Sequence, residues 1–306
     1  MAAISENFGD LLAPGLKKIY NDQFSQLPEM RTKLFNVQTS DRAYEKDSAV
    51  GSFSDLTPFT GTIAYDDVYQ GYDVTYTHVE YAKGFKVERK LYDDDLYNII
   101  SKKPRGLAIA ARRTMEKASA GVFNDAFTGS GTISVDGITV LSNSEALSLC
   151  NDSHTSTGSA TTQDNSGTQA LSPTSVEATR IAMAGFKDDR DNLISVQPDL
   201  ILCPRNLEET AWEIISSKGK VDTAENNPNF HEGKYKLAVW DYLSDSNNWF
   251  MIDSSMMKLY LNWFDRVALE FFQDKSFDTL IAKYAVYARW SYGYSGWQWV
   301  YGHKVS

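Results

Sequence analysis

PDLILCPRNLEETAWEII, residues 198–215, sets four apolar residues, Leu200 to Cys203, against Pro204 and then spaces Leu207, Trp212, Ile214 and Ile215 along a helix. A short apolar run closed by proline reads as a buried strand, and the spacing after it as an amphipathic helix, so the segment is a β-then-α unit. A polar loop follows at 219–234, GKVDTAENNPNFHEGK, and beyond it lie strand candidates at Tyr235–Trp240, Trp249–Ile252, Lys258–Trp263 and Ala268–Phe272.

Toward the C-terminus the pattern has period two. Ile281, Tyr284, Val286, Ala288 and Trp290 fall in one run, a Gly-rich turn comes next, and Trp297 to Tyr301 follow, which predicts a closing β-hairpin. Toward the N-terminus, Ser172-Pro173 supplies a capping residue and a proline at the first helical position for the helix TSVEATRIAMAGFKDD. Residues 151–168, NDSHTSTGSATTQDNSGT, offer almost nothing to bury and predict an exposed loop. Pro104 is expected to begin a long helix through Phe127 with Leu107, Ala111, Met115, Ala118 and Val122 on one stripe, and Asp93-Asp94-Asp95 to open a shorter one through Ile100. From Gly51 to Leu91 strands dominate: Tyr72, Val74, Tyr76, His78 and Glu80 share one face, and Asp73, Thr75, Thr77, Val79 and Tyr81 the other. A strand with apolar groups on both faces must be covered twice or project toward something else. Residues 1–47 mix small apolar clusters with Pro14 and Pro28 and predict at most one short helix near 14–24, an arm in need of a partner surface.

With 306 residues the chain can bury a full core without metals or disulfides. Aromatic residues make up 13%, enough to favour large contacts or β-rich cores. The net charge of −10 predicts no general affinity for a phosphate backbone, which needs clustered Lys and Arg. Two cysteines, a start without a basic leader, and no run long enough for a membrane span predict synthesis and folding in a cytoplasm, away from membranes.

Three stretches together resemble the major capsid proteins of tailed bacteriophages with the Hong Kong 97-type fold: YDVTYTHVEYAKGFKVERKLYDDDLYNII (72–100), the 198–253 region with AENNPNFHEGKYKLAVWDYLSDSNNWFMID at its end, and YAVYARWSYGYSGWQWVYGH (284–303). The resemblance implies an α+β subunit with an N-terminal arm at 1–47, an extended β-hairpin loop at 48–82, a peripheral domain with a long spine helix at 83–172 and 273–306, and an axial α/β domain at 173–272. It implies assembly of the chain with itself into pentamers and hexamers of an icosahedral virion shell that encloses DNA without sequence-specific binding. A separate scaffolding protein, a portal and a decoration protein are the further partners it implies; it implies no cofactor, metal or catalytic residue. The candidate subunit contacts are Tyr65, Tyr69 and Tyr72 on the loop, Lys83, Lys86 and Arg89 at its foot, and Asn226, Asn227 and Phe230 in the axial tip. Some relatives cross-link Lys to a late Asn; Lys83 and Lys86 are present, but no Asn follows Asn262, so no such bond is expected.

The residues also bear on chemistry. Cys150, His154, Cys203 and His231 are the soft metal ligands, and none forms a C-x-x-C or H-x-x-x-H pair. Gly293-Tyr294-Ser295-Gly296 lacks the frame of a serine elbow, and Gly129-Ser130-Gly131 lacks the Lys of a phosphate loop. Arg89, Arg112, Arg113, Arg266 and Arg289 are the cations best suited to paired contacts. Two alternatives stand beside the phage shell: an encapsulin-like compartment holding an enzyme cargo, and a β-rich hydrolase or carbohydrate-binding module that uses exposed aromatics.

Overall fold

In the computed structural model, which describes residues 8–63, 65–94, 99–159, 161–219, 227–276 and 281–305, the first element is helix α1 (Phe8–Gln26), followed by α2 (Arg31–Leu34). Strands β1 (Asn36–Thr39), β2 (Tyr44–Val50), β3 (Gln70–Thr77) and β4 (Val79–Glu88) lead to α3 (Arg89–Asp93) and the 26-residue helix α4 (Ile99–Asn124). Then come β5 (Thr132–Val135), β6 (Ile138–Asn143), the two-residue strands β7 (His154–Thr155), β8 (Thr162–Gln163) and β9 (Ser166–Gly167), and α5 (Pro173–Ala184). Strand β10 (Leu200–Cys203), α6 (Glu208–Ser216), β11 (Lys236–Val239), β12 (Trp249–Ile252), α7 (Ser254–Tyr260) and the long strands β13 (Leu261–Ser276), β14 (Ile281–Tyr294) and final β15 (Val300–His303) complete the chain.

Three larger sheets organise these elements, with orders β1-β13-β14-β4, β11-β10-β12-β15-β9 and β2-β3-β6-β5. Helices α1 and α4 pack side by side on one face of the first sheet. Leu16 and Ile100 meet Val87 and Tyr284, while Tyr20, Leu107 and Ala108 meet Val286. The alternation of β14 explains this, because Tyr284, Val286, Ala288 and Trp290 all turn inward. Trp263 stacks on Tyr292 with ring centroids 5.2 Å apart, and Trp290 stacks on Tyr81 at 4.1 Å, so much of the aromatic excess is spent in the core. The buried Glu116 of α4 accepts the Met30 N–H at 2.9 Å and the Trp240 indole N–H at 2.9 Å, tying the N-terminal segment and the end of β11 to the long helix.

The β-then-α unit at 198–215 folds as expected: all four residues of β10 are buried inside its sheet, between β11 and β12, and a 3-10 turn at Arg205–Leu207 leads into α6. Helix α5 starts at Pro173 with Ser172 and Ser175 bonding reciprocally.

Several expectations need correction. The helix expected at 14–24 runs for 19 residues with Pro14 inside it. Pro104 lies inside α4 rather than at its start; it is buried, and its missing N–H removes one helical bond without ending the helix. Asp93 ends α3 instead of opening a helix, and Asp95 lies outside the described residues. The run 72–81 breaks at His78, so that β3 and β4 enter different sheets. Segment 151–168 is not a free loop: Asn165 is fully buried and donates to the carbonyls of Leu149 and Val300, and β9 pairs with β15. Residues 258–260 belong to α7, because Asp253 accepts the amides of Ser255 and Met256 and caps a helix there. The candidate at 268–272 is the middle of β13. The closing hairpin does not form: β14 pairs with β13 and β4, whereas β15 pairs with β12 and β9 in another sheet.

Candidate functional site: an exposed hairpin clamped at its base

Strands β2 and β3 pair antiparallel from Tyr44↔Thr77 to Val50↔Gln70, and among the described residues of the tip they carry, 51–63 and 65–69, none lies in a helix or strand. Phe53, Leu56, Phe59, Ile63, Tyr65, Val68 and Tyr69 are all exposed there, with Leu56 at 101% and Tyr65 at 88%. Seven large apolar side chains on one tip are out of proportion to the scattered exposure ordinary in soluble chains, and they mark a surface made to be covered.

The base of the tip is held by the turn after α5. Ser52 N–H donates to Asp189 Oδ1 at 2.9 Å, and the Ser52 hydroxyl lies against the carboxylates of Asp188 and Asp189. Arg190 Nε donates to the Ser52 carbonyl at 2.8 Å, Nη2 to the Asp67 carbonyl at 2.6 Å, and the guanidinium covers the Tyr69 ring at 5.2 Å. Asp191 bends the turn with φ of 65°, which places these side chains together. Gly51 and Gly158 make room: a Cβ on Gly51 would stand 2.3 Å from Asp189 Oδ2, and one on Gly158 would stand 2.7 Å from the Asp189 carbonyl. Higher in the tip, hydrogen bonds from the Ser54 hydroxyl and amide hold the Asp66 carboxyl below its usual range.

A cleft of about 380 Å³ lies between this base and the segments around Thr155, Lys187 and Trp297. Beside it His154 Nδ1 lies 2.8 Å from Glu145 Oε1, and the imidazole stacks on Trp297 at 4.5 Å. Among the described residues no group of three His, Cys, Asp or Glu side chains could hold a metal. Cys150 and Cys203 are free and buried; burial pushes the Cys203 thiol up to about 12 and the Cys150 thiol up as well. His78, between Ser40 Oγ at 3.2 Å and Ser291 Oγ at 2.9 Å, is held below its ordinary value by burial and by Arg289.

The expected contact residues fall in three places. Tyr65 and Tyr69 stand on the tip, and Tyr72 sits at its base with its hydroxyl 3.4 Å from Thr155 Oγ1. Lys83 and Lys86 are exposed on β4, an edge strand of its sheet, and Arg89 is half-buried at the start of α3. Phe230 is half exposed, with the Lys234 ammonium 2.8 Å from its ring centre and the Arg180 guanidinium at 5.5 Å; Asn227 is exposed, and Asn226 lies outside the described residues. Sequence reading missed the clamp of Ser52, Asp188, Asp189 and Arg190, whose partners are more than 130 residues apart. Of the five arginines, Arg112 is buried and pairs with Glu29 at 2.7 Å, Arg289 lies 3.9 Å from Glu80, and Arg113 is exposed.

Residues 71–302 match the family model described as phage capsid protein. No curated protein matches the chain. Among solved structures, the mature capsid of bacteriophage PhiM1 is similar with a TM-score of 0.58 at 8% identity, over 92% of this chain and 88% of that one. Mycobacterium phage Patience gives 0.56 at 10% identity over 99% and 90%, and the procapsid of bacteriophage JBD30 gives 0.53 at 12% identity over 99% and 77%. At such identities the likeness speaks for the fold, which is the α+β Hong Kong 97-type capsid fold. The family match spans well over half of the chain, and with it the chain belongs to the phage capsid protein family.

Proposed function

We propose that the chain is the major shell subunit of a tailed-phage head and acts by binding copies of itself rather than by catalysis. The exposed apolar tip at 51–69 is the observation that carries this reading. A hairpin laid over a neighbour removes those side chains from water, and closed symmetry repeats the gain at every subunit. The family match supports a viral shell over an enzyme-filled compartment or a hydrolase.

Within this reading 1–47 is the arm, 48–82 the extended loop, 83–172 with 273–306 the peripheral domain, and 173–272 the axial domain. Tyr65, Tyr69 and Tyr72 meet a neighbour through the loop, Lys83, Lys86 and Arg89 through the exposed edge of β4, and Asn226, Asn227 and Phe230 around the axis of pentamers and hexamers. A scaffolding protein, a portal and a decoration protein are the further partners. No helix among the described residues is long and apolar enough to cross a membrane.

Deleting residues 55–65 tests the reading, because it joins Ser54 to Asp66, which already touch: the Ser54 N–H donates to Asp66 Oδ2 at 2.8 Å. The variant should melt within a few degrees of the parent and form no stable shells by electron microscopy, with or without the scaffold. Shells of normal size and yield from the deleted chain would overturn the role of the tip.

A further inference from the structure

Helix α4 carries its charges unevenly. Its sequence, IISKKPRGLAIAARRTMEKASAGVFN, holds one carboxylate, Glu116, which is buried, whereas Lys102, Arg105, Arg113 and Lys117 are exposed. With Ile109 between them, these positions recur every three or four residues and form one stripe about 22 Å long. Lys103 lies alongside and spends its ammonium on the Lys86 carbonyl at 3.0 Å. The adjacent α1, packed on the same sheet face, turns Lys17 and Lys18 outward; among the described side chains of the two helices, Asp22 is the one exposed carboxylate. None of Lys17, Lys18, Lys102, Arg105, Arg113 and Lys117 has an ion pair among the described residues. A chain of net charge −10 therefore presents one helical layer of opposite sign.

We infer that the outward face of α1 and α4 binds the phosphate backbone of duplex DNA without reading its sequence, and is the face the subunit turns toward the packaged genome. Duplex DNA offers a phosphate about every 1.7 Å of its axis, so a 22 Å row of cations meets phosphates in any register. The stripe carries one large apolar side chain, Ile109, which is 44% exposed, so this face complements a polyanion by charge rather than by apolar burial. The sign of the whole chain hides this face, because the local cluster, not the average, sets the potential that a polyanion meets.

The inference rests on the shell reading, and one experiment separates the two. The full chain and the variant K102Q/R105Q/R113Q/K117Q are titrated, as dissociated subunits, with a mixed-sequence DNA duplex across a range of salt, and the same preparations are assembled and imaged. A control, R205Q/K218Q/K236Q/K304Q, removes four exposed cations elsewhere. Glutamine keeps helix propensity, and circular dichroism checks the fold. The expected result is that the α4 variant binds DNA at least ten-fold more weakly and loses about 3 to 4 from the slope of log affinity against log salt, while the control keeps both. Equal DNA affinity of the α4 variant and the parent, or tighter binding of the parent to polyglutamate of matched charge, would overturn the inference. Failure of the parent itself to form shells would instead strike the shell reading.

Discussion

His303 is wedged against Trp249, with ring centroids 4.2 Å apart, and both of its nitrogens are engaged. Nδ1 accepts the Gln169 N–H at 3.3 Å, so Nε2 carries the proton and donates to Thr179 Oγ1 at 2.8 Å; Thr179 in turn donates to the Ser175 carbonyl at 2.7 Å. A second proton would face the Gln169 N–H with no acceptor, and burial lowers the pKa from 6.5 to about 4. The unfolded chain takes up that proton below about 6.5 and the folded chain does not. The stability tied to neutral His303 is therefore whole above pH 6.5 and is lost as pH falls from 6.5 to 4, by about 3 kcal/mol at the lower end. In urea melts, His303→Gln should be less stable at pH 7 but show a shallower loss between pH 6.5 and 4; parallel slopes for the two proteins would refute the assignment. At this scale the sequence was legible where partners are neighbours, as at Ser172 and Pro173. It was silent at His303, whose partners Thr179 and Gln169 lie 124 and 134 residues away.

The hairpin tip depends on the turn 188–192 for its direction, since β2 and β3 end at Val50 and Gln70 and few bonds beyond them are regular. Arg190 supplies two of the anchors, to the Ser52 and Asp67 carbonyls. Removing it with Arg190→Ala should raise amide exchange across 51–69 by ten-fold or more and change the melting temperature by only a few degrees, because the core is untouched. Exchange unchanged from the parent would show that the clamp does not hold the tip. Elements that announce themselves by local pattern were read well: β10, β12 and α5 lie where the apolar runs and the cap placed them. Pairing was not. Trp290 and Trp299 are separated by a Gly-rich bend and look like two arms of a hairpin, but Gly293 has φ of 155° with Leu141 packed against it, and the chain crosses to a different sheet. Period two tells which side chains share a face, not which strand lies alongside. Likewise 258–260 looked extended because the apolar residues of α7 run into those of β13; the capping carboxylate of Asp253 decides for the helix.

Across the whole molecule, net charge and local charge pull in opposite directions. Subunits of charge −10 repel one another, and salt would screen that repulsion while leaving intact the apolar contact proposed for the tip. Raising salt from roughly 20 to 200 mM, which shortens the Debye length about three-fold, should therefore lower the protein concentration at which shells appear in light scattering. A rise in that concentration would mean that ion pairs, not apolar contacts, hold the shell. DNA binding by the α1 and α4 face should weaken over the same range, so assembly and genome contact answer salt with opposite signs. The buried thiols carry a consequence of another kind. Cys150 and Cys203 are 2% and 0% exposed, and burial keeps both protonated, so an alkylating reagent meets no thiolate on the folded subunit. The natural chain is thereby chemically silent toward maleimides. A single cysteine placed at the tip becomes a unique handle for fluorophores or cargo on every subunit of a shell.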